Sequence, residues 1–125
     1  MSEVTIDLVD RLVGLAPGLE PIFREHLSDN FGEVLPHVFF GDLTRYVVRE
    51  FLLVDDRKTR HGRHRLGELN IILDELEEAL SIGPGEVSEL IAVSFLANLP
   101  RRGEEGAGIR EVLGPTLKRE LARMG

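Results

Sequence analysis

The segment RKTRHGRHR, residues 57–65, contains the side chains of this chain that are best suited to binding a metal ion or a phosphate. His61 and His64 are three residues apart, and a carboxylate from Asp55 or Asp56 would complete a nitrogen and oxygen ligand set for zinc. The same segment carries five cationic side chains, however, and each raises the free energy of holding another cation there. We therefore predict no metal site and no cofactor.

Nucleic acid is a second candidate ligand, since clustered cations gain free energy by releasing counterions from phosphates. Between Asp55 and Arg65 five basic residues outnumber two acidic ones, giving +3; the rest of the chain has ten basic and twenty acidic residues, giving −10 and a total of −7. The cationic segment has no aromatic side chain for base stacking, and no helix-turn-helix pattern follows it. A nucleic-acid-binding regulatory module that uses residues 57–65 is therefore the alternative function.

Catalytic groups are not organised into any motif in this sequence. The chain has no cysteine, no P-loop and no dinucleotide-binding fingerprint, and its carboxylates fall mostly on predicted polar helix faces. Ser28, Ser81 and Ser94 all lie outside a nucleophile-elbow motif. His26 and His37 have no partner histidine at helical spacing, so we expect both at the surface or at a helix end. We predict a protein without catalytic residues that is not an enzyme.

The length and composition predict a single domain that spans residues 1–125. A chain of 125 residues with 42% apolar content is long enough to bury one hydrophobic core. It has no run of about 18 apolar residues, and its first residues, MSEVTIDLVD, carry acids where a signal peptide carries basic residues. We therefore expect a cytoplasmic protein with no membrane association.

Apolar residues recur at helical spacing along most of the chain, which predicts an all-α fold of about six helices. Short connections in the second half favour antiparallel helix pairs, similar in packing to those of α-solenoids, although no repeated sequence period accompanies them. A polar, basic loop is expected at about residues 55–65 and a glycine-rich loop at about residues 100–108. The expected helices are residues 4–14, 19–30, a strongly apolar segment within 33–53, then 66–81, 86–98 and 109–124.

Three strings, LPHVFFGDLTRYVV, LIAVSFLANL and LGPTLKREL, occur in that order within about residues 20–121. In sequence and spacing they resemble a group of small bacterial helical proteins, common in actinobacteria, some of whose relatives are associated with contact-dependent toxin and immunity systems. The resemblance implies a helical fold and a role in binding another protein. It implies no catalytic residue set.

Charges of opposite sign are segregated along the chain, which favours a protein partner because such charge can steer association. The preferred function is a non-catalytic helical interaction module, of the immunity type, that neutralises a basic toxin or effector. In the other interpretation the basic loop folds back on the acidic helix that follows it in the same chain. The sequence also leaves the oligomeric state open, and a homo-oligomer is compatible with it. The candidate partner-binding residues are Arg57, Lys58, Arg60, Arg63 and Arg65 in the loop, and Glu68, Asp74, Glu75 and Glu78 on the helix.

Overall fold

The computed structural model describes residues 3–53 and 60–124, with side chains described for residues 3–53 and 67–124. The described residues form a single all-α domain, as the hydrophobic periodicity predicts. The α-helices are α1 (Glu3–Leu15), α2 (Glu20–Asp29), α3 (Pro36–Leu53), α4 (Arg60–Ile82), α5 (Gly85–Ser94) and α6 (Pro115–Met124). Short 3₁₀ turns occur at Pro17–Leu19, Leu96–Asn98 and Ala107–Val112.

Helix α4 packs against four other helices, α1, α3, α5 and α6. Its buried side follows the apolar spacing in the sequence, and α3 packs against it with four buried hydrophobic residues of its own. Each fully buried leucine or phenylalanine contributes roughly 1.5–3 kcal/mol to the free energy of unfolding. The buried hydrophobic residues are Leu69, Ile72, Leu73, Leu76 and Ala79 of α4, and Phe39, Phe40, Leu43 and Val47 of α3.

His26 lies in the last turn of α2, which is one of the two positions expected for it, but it is buried rather than exposed. Its ring packs edge-on against Phe39, with centroids 5.6 Å apart. The Leu35 N–H donates to its ring Nε2 at 3.0 Å, and the Asn30 side-chain amide donates to its carbonyl at 2.7 Å. The backbone between α2 and α3 thus supplies a hydrogen-bond donor that the buried imidazole needs.

Helix α4 begins at Arg60, six residues before the expected start at about Leu66. Arg60, Arg63 and Arg65 therefore lie in the first turns of α4, and the second half of the expected basic loop is helical. Periodicity misses these turns because they carry no apolar residues, whereas arginine is itself a good helix former. The expectations for Arg57 and Lys58, with the rest of residues 54–59, lie outside the described residues.

The helix expected over residues 86–98 ends at Ser94, and a 3₁₀ turn follows it. The Ser94 carbonyl accepts hydrogen bonds from the side chains of Asn98 at 2.9 Å and Thr44 at 3.1 Å. The backbone N–H of Asn98 instead donates to the Phe95 carbonyl at 3.2 Å. Side chains thus satisfy the carbonyl that a continuing helix would use, which explains the early end.

The last predicted helix is divided in two at Pro115. A 3₁₀ turn covers Ala107–Val112, and α6 starts at the proline, whose missing N–H is harmless at the first helical position. The N-terminus of α6 is capped by Glu77 of α4: Thr116 N–H donates to Oε2 and Leu117 N–H to Oε1, both at 2.8 Å. A Cβ at Gly114 would lie 2.6 Å from Glu77 Cδ, so a glycine is required there.

The Glu77 cap has a direct electrostatic consequence. Burial raises the pKa of its carboxyl, but the hydrogen bonds from Thr116 and Leu117 outweigh burial, and the pKa is lowered below its ordinary value of 4.5. A carboxylate that binds protons less tightly in the folded state stabilises the fold above pH 4.5 and loses that contribution as the pH falls.

We expect Glu77→Gln to lower the free energy of unfolding by about 1 kcal/mol at pH 7, because a charged cap is replaced by a neutral one. Urea unfolding at a series of pH values measures this. Below pH 4.5 the difference between the variant and the unmodified protein should shrink, since the protonated carboxyl loses its advantage. Glu78→Gln, at an exposed neighbouring position, is the matched control. An equal loss in both variants at pH 7 would contradict the cap.

Candidate functional site

Glu68 is the first of the four acidic candidate residues on α4, and it is bonded inside the protein. The Tyr46 hydroxyl of α3 donates to Oε1, and the Gly18 N–H, between α1 and α2, donates to Oε2 at 3.3 Å. This carboxylate therefore joins α4 to two other elements. It is half-buried and does not form part of an open acidic surface.

The contact between Tyr46 and Glu68 leaves no room for a larger residue at position 18. A Cβ built on Gly18 would collide with the Tyr46 hydroxyl and with the Glu68 carboxylate. Burial raises the pKa of Tyr46, and the hydrogen bond to Glu68 raises it further, since a phenolate beside a carboxylate is repelled. The phenol therefore remains a donor to Glu68 at neutral pH.

We expect Gly18→Ala to lower the free energy of unfolding by about 1–3 kcal/mol, because the added methyl group must displace Tyr46 or Glu68. Urea unfolding monitored by circular dichroism measures the change. Gly14→Ala is the matched control: no heavy atom lies within 4 Å of a Cβ there, and alanine favours the α1 helix in which it lies. The account is wrong if both variants are equally destabilised.

Glu75 also has an internal partner. Its Oε1 lies 2.5 Å from Nε of Arg11, and this ion pair joins α4 to α1. The Glu75 side chain is 15% exposed, whereas the Arg11 side chain is 60% exposed, so the pair lies at the edge of a groove rather than in the core. Its contribution to stability is modest, because the arginine is largely hydrated.

Asp74 and Glu78 are the acidic candidates on α4 whose side chains are exposed. Within residues 3–53 and 67–124, neither takes part in an ion pair. Their charges face solvent, so they are available to a binding partner. The four acidic candidates on α4 are thus divided into Glu68 and Glu75, which are bonded inside the protein, and Asp74 and Glu78, which are exposed.

A groove of about 370 Å³ lies between α1 and the C-terminal half of α4, and it includes Glu78. We call it the acidic groove. Apolar residues line it, and among them Val4 is 40% exposed and Ile82 is 77% exposed. Ile82 is not among the residues predicted from the sequence, although its position at the end of α4, directly before Gly83 and Pro84, is a signal that it extends beyond the core. The charged residues of the groove are Asp7, Arg11, Glu75 and Glu78.

A family model described as Domain of unknown function (DUF7674) matches residues 9–124. The chain belongs to this family. The match covers α2–α6 and the second half of α1, which makes the helical domain described above the DUF7674 domain. Comparison with curated proteins and with solved structures gave no match.

The DUF7674 match contains the α4 and α5 side of the acidic groove, from Glu75 to Val87. Three residues on the α1 side, Val4, Asp7 and Leu8, precede the matched span. The acidic groove therefore combines residues inside the family match with residues before it.

A histidine and a serine of the DUF7674 domain also lie together. Nδ1 of His37, on α3, is 2.6 Å from Oγ of Ser94, at the end of α5. His37 is exposed as the sequence analysis expects, whereas Ser94 is buried. Within the described part of the chain no carboxylate bonds to His37, so the pair lacks the group that orients a catalytic histidine. Its role in the structure is to tie α3 to α5.

Within residues 3–53 and 67–124, no three histidine or carboxylate side chains are grouped as a metal site. None of the described helices is long and apolar enough to cross a membrane. The prediction that His61 and His64 form no metal site with Asp55 or Asp56 lies outside the described side chains and stays a prediction.

Proposed function

We propose that this chain is a non-catalytic protein-interaction module, and that its acidic groove binds a basic segment of a partner protein. The observation that carries the proposal is Ile82, an apolar side chain that is 77% exposed beside the carboxylates of Glu78 and Asp7. An apolar floor with an acidic rim is complementary to a segment that presents an apolar side chain flanked by lysine or arginine.

The apolar floor and the acidic rim of the acidic groove contribute to partner binding in different ways. Burying an isoleucine side chain against a partner contributes roughly 1.5–3 kcal/mol, and this term is independent of salt. The exposed carboxylates of Asp74 and Glu78 steer a basic partner towards the groove, and salt screens this effect. Raising the salt concentration should therefore lower the association rate constant by a larger factor than it raises the dissociation rate constant.

The finer part of the proposal concerns the partner and its setting. We propose a bacterial, cytoplasmic protein of the immunity type, whose partner is a basic toxin or effector. The net charge of −7 and the exposed acids of α4 support a basic partner over an acidic one at this surface. The alternative remains a nucleic-acid-binding module that uses residues 57–65, which would bind a polyanion and not a basic protein.

We expect Glu78→Gln combined with Ile82→Ser to weaken partner binding by at least tenfold, because one rim charge and the exposed apolar side chain are both removed. Tagged protein is used to capture a partner from cell extract. The partner identified by mass spectrometry is then purified, and its affinity for the protein is measured by calorimetry at low and moderate salt.

The control variant combines Glu89→Gln with Val93→Ser on α5. It has the same spacing and the same change of charge, at positions that are also exposed and lie outside the acidic groove. The control should bind the purified partner as the unmodified protein does. Equal losses in the two double variants, or a purified partner that is itself acidic, would exclude the proposal.

A further inference from the structure

A second groove lies between α6, the 3₁₀ turn at Leu96–Asn98 and the loop that follows Pro100, and its volume is about 1150 Å³. We call it the basic groove. Its charge is opposite to that of the chain: four basic residues and one acidic residue line it, giving +3 in a protein of net charge −7. The charged residues are Arg101, Arg102, Arg110, Lys118 and Glu111.

The four cations of the basic groove form no ion pair with the side chains that the structure describes, although the Glu104 carboxylate accepts a hydrogen bond from the Arg101 backbone N–H at 2.6 Å. Arg101, Arg102 and Lys118 are exposed, and Arg110 is held at the groove because its Nε donates to the Pro100 carbonyl at 2.7 Å. This contrasts with Glu75, an acid of α4 that has an arginine partner. The positive charge is therefore available to an anionic ligand.

The lining of the basic groove distinguishes between classes of anion. Leu121 is half-buried and Met124 is 41% exposed, so the cations border an apolar surface. No aromatic side chain lines the groove, which removes the usual platform for stacking nucleic-acid bases. Apolar contacts beside uncompensated cations match a helix with leucines on one face and carboxylates along its edges.

We infer that the basic groove binds an acidic amphipathic helix of a partner protein. Carboxylates of that helix pair with Arg101, Arg102 and Lys118, and its apolar face contacts Leu121 and Met124. This site is separate from the acidic groove, since the two share no lining residue. The inference therefore stands whether or not the proposed function of the acidic groove is correct.

Fluorescence anisotropy with a labelled synthetic peptide tests the inference. The peptide carries leucines at helical spacing with glutamates beside them, and a second peptide has lysine in place of each glutamate. The full chain should bind the glutamate peptide and not the lysine peptide. Arg102→Gln combined with Lys118→Gln should weaken binding about tenfold, because two exposed ion pairs are lost. Raising the salt concentration should weaken it further.

Arg24→Gln combined with Arg45→Gln is the control, since it removes the same charge from exposed, ion-paired arginines on α2 and α3 outside the basic groove. This variant, and the acidic-groove variant Glu78→Gln with Ile82→Ser, should bind the glutamate peptide with unchanged affinity. The inference is overturned if the peptide fails to bind at low salt, or if the control loses as much affinity as the groove variant. It is also overturned if a single-stranded DNA oligonucleotide binds at the groove and the peptide does not.

Discussion

The structure depends on helix α4, whose carboxylates bond to elements far away in the chain while its apolar side fills the core. Glu68 accepts hydrogen bonds from Tyr46 and Gly18, and Glu77 accepts two from the N-terminus of α6. These bonds hold α4 in one orientation, because burying its leucines and satisfying both carboxylates must occur together. An α4 without them would retain its apolar stripe but would lose the contacts that fix its neighbours.

The internal bonds of α4 determine which of its carboxylates remain available for binding a partner. Glu68 and Glu77 bond to other helices and turns of the protein, and Glu75 pairs with Arg11. Of the acidic candidates on α4, Asp74 and Glu78 remain exposed. Among the side chains that the structure describes, the cations that border the basic groove likewise form no ion pair. Two surfaces of opposite charge thus result from the way the helices satisfy their own polar groups, and each adjoins apolar side chains that are incompletely buried.

The helical fold was predictable from periodicity, because leucines and phenylalanines at helical spacing are local signals. The exposure of Asp74 and Glu78 was predictable for the same reason. The roles of Glu68 and Glu77 were not, since the partner of Glu68 at Gly18 is 50 residues away and the partners of Glu77 are 39 and 40 residues away. The helix-end position of His26 was predictable, but its burial was not, because it depends on contacts with Phe39 and Leu35, which lie beyond α2 in the chain. The early start of α4 was missed because its first turns contain no apolar residue.

The claim at the centre of this account is that α4 has structural carboxylates and separate surface carboxylates. Urea unfolding of two double variants with the same change of charge tests it most directly: Glu68→Gln with Glu77→Gln, and Asp74→Asn with Glu78→Gln. The account predicts that the first pair lowers the free energy of unfolding by about 2–4 kcal/mol, because hydrogen bonds to buried or capping carboxylates are weakened. It predicts a change within about 0.5 kcal/mol for the second pair, which lies at the surface. Equal destabilisation by the two pairs would contradict it.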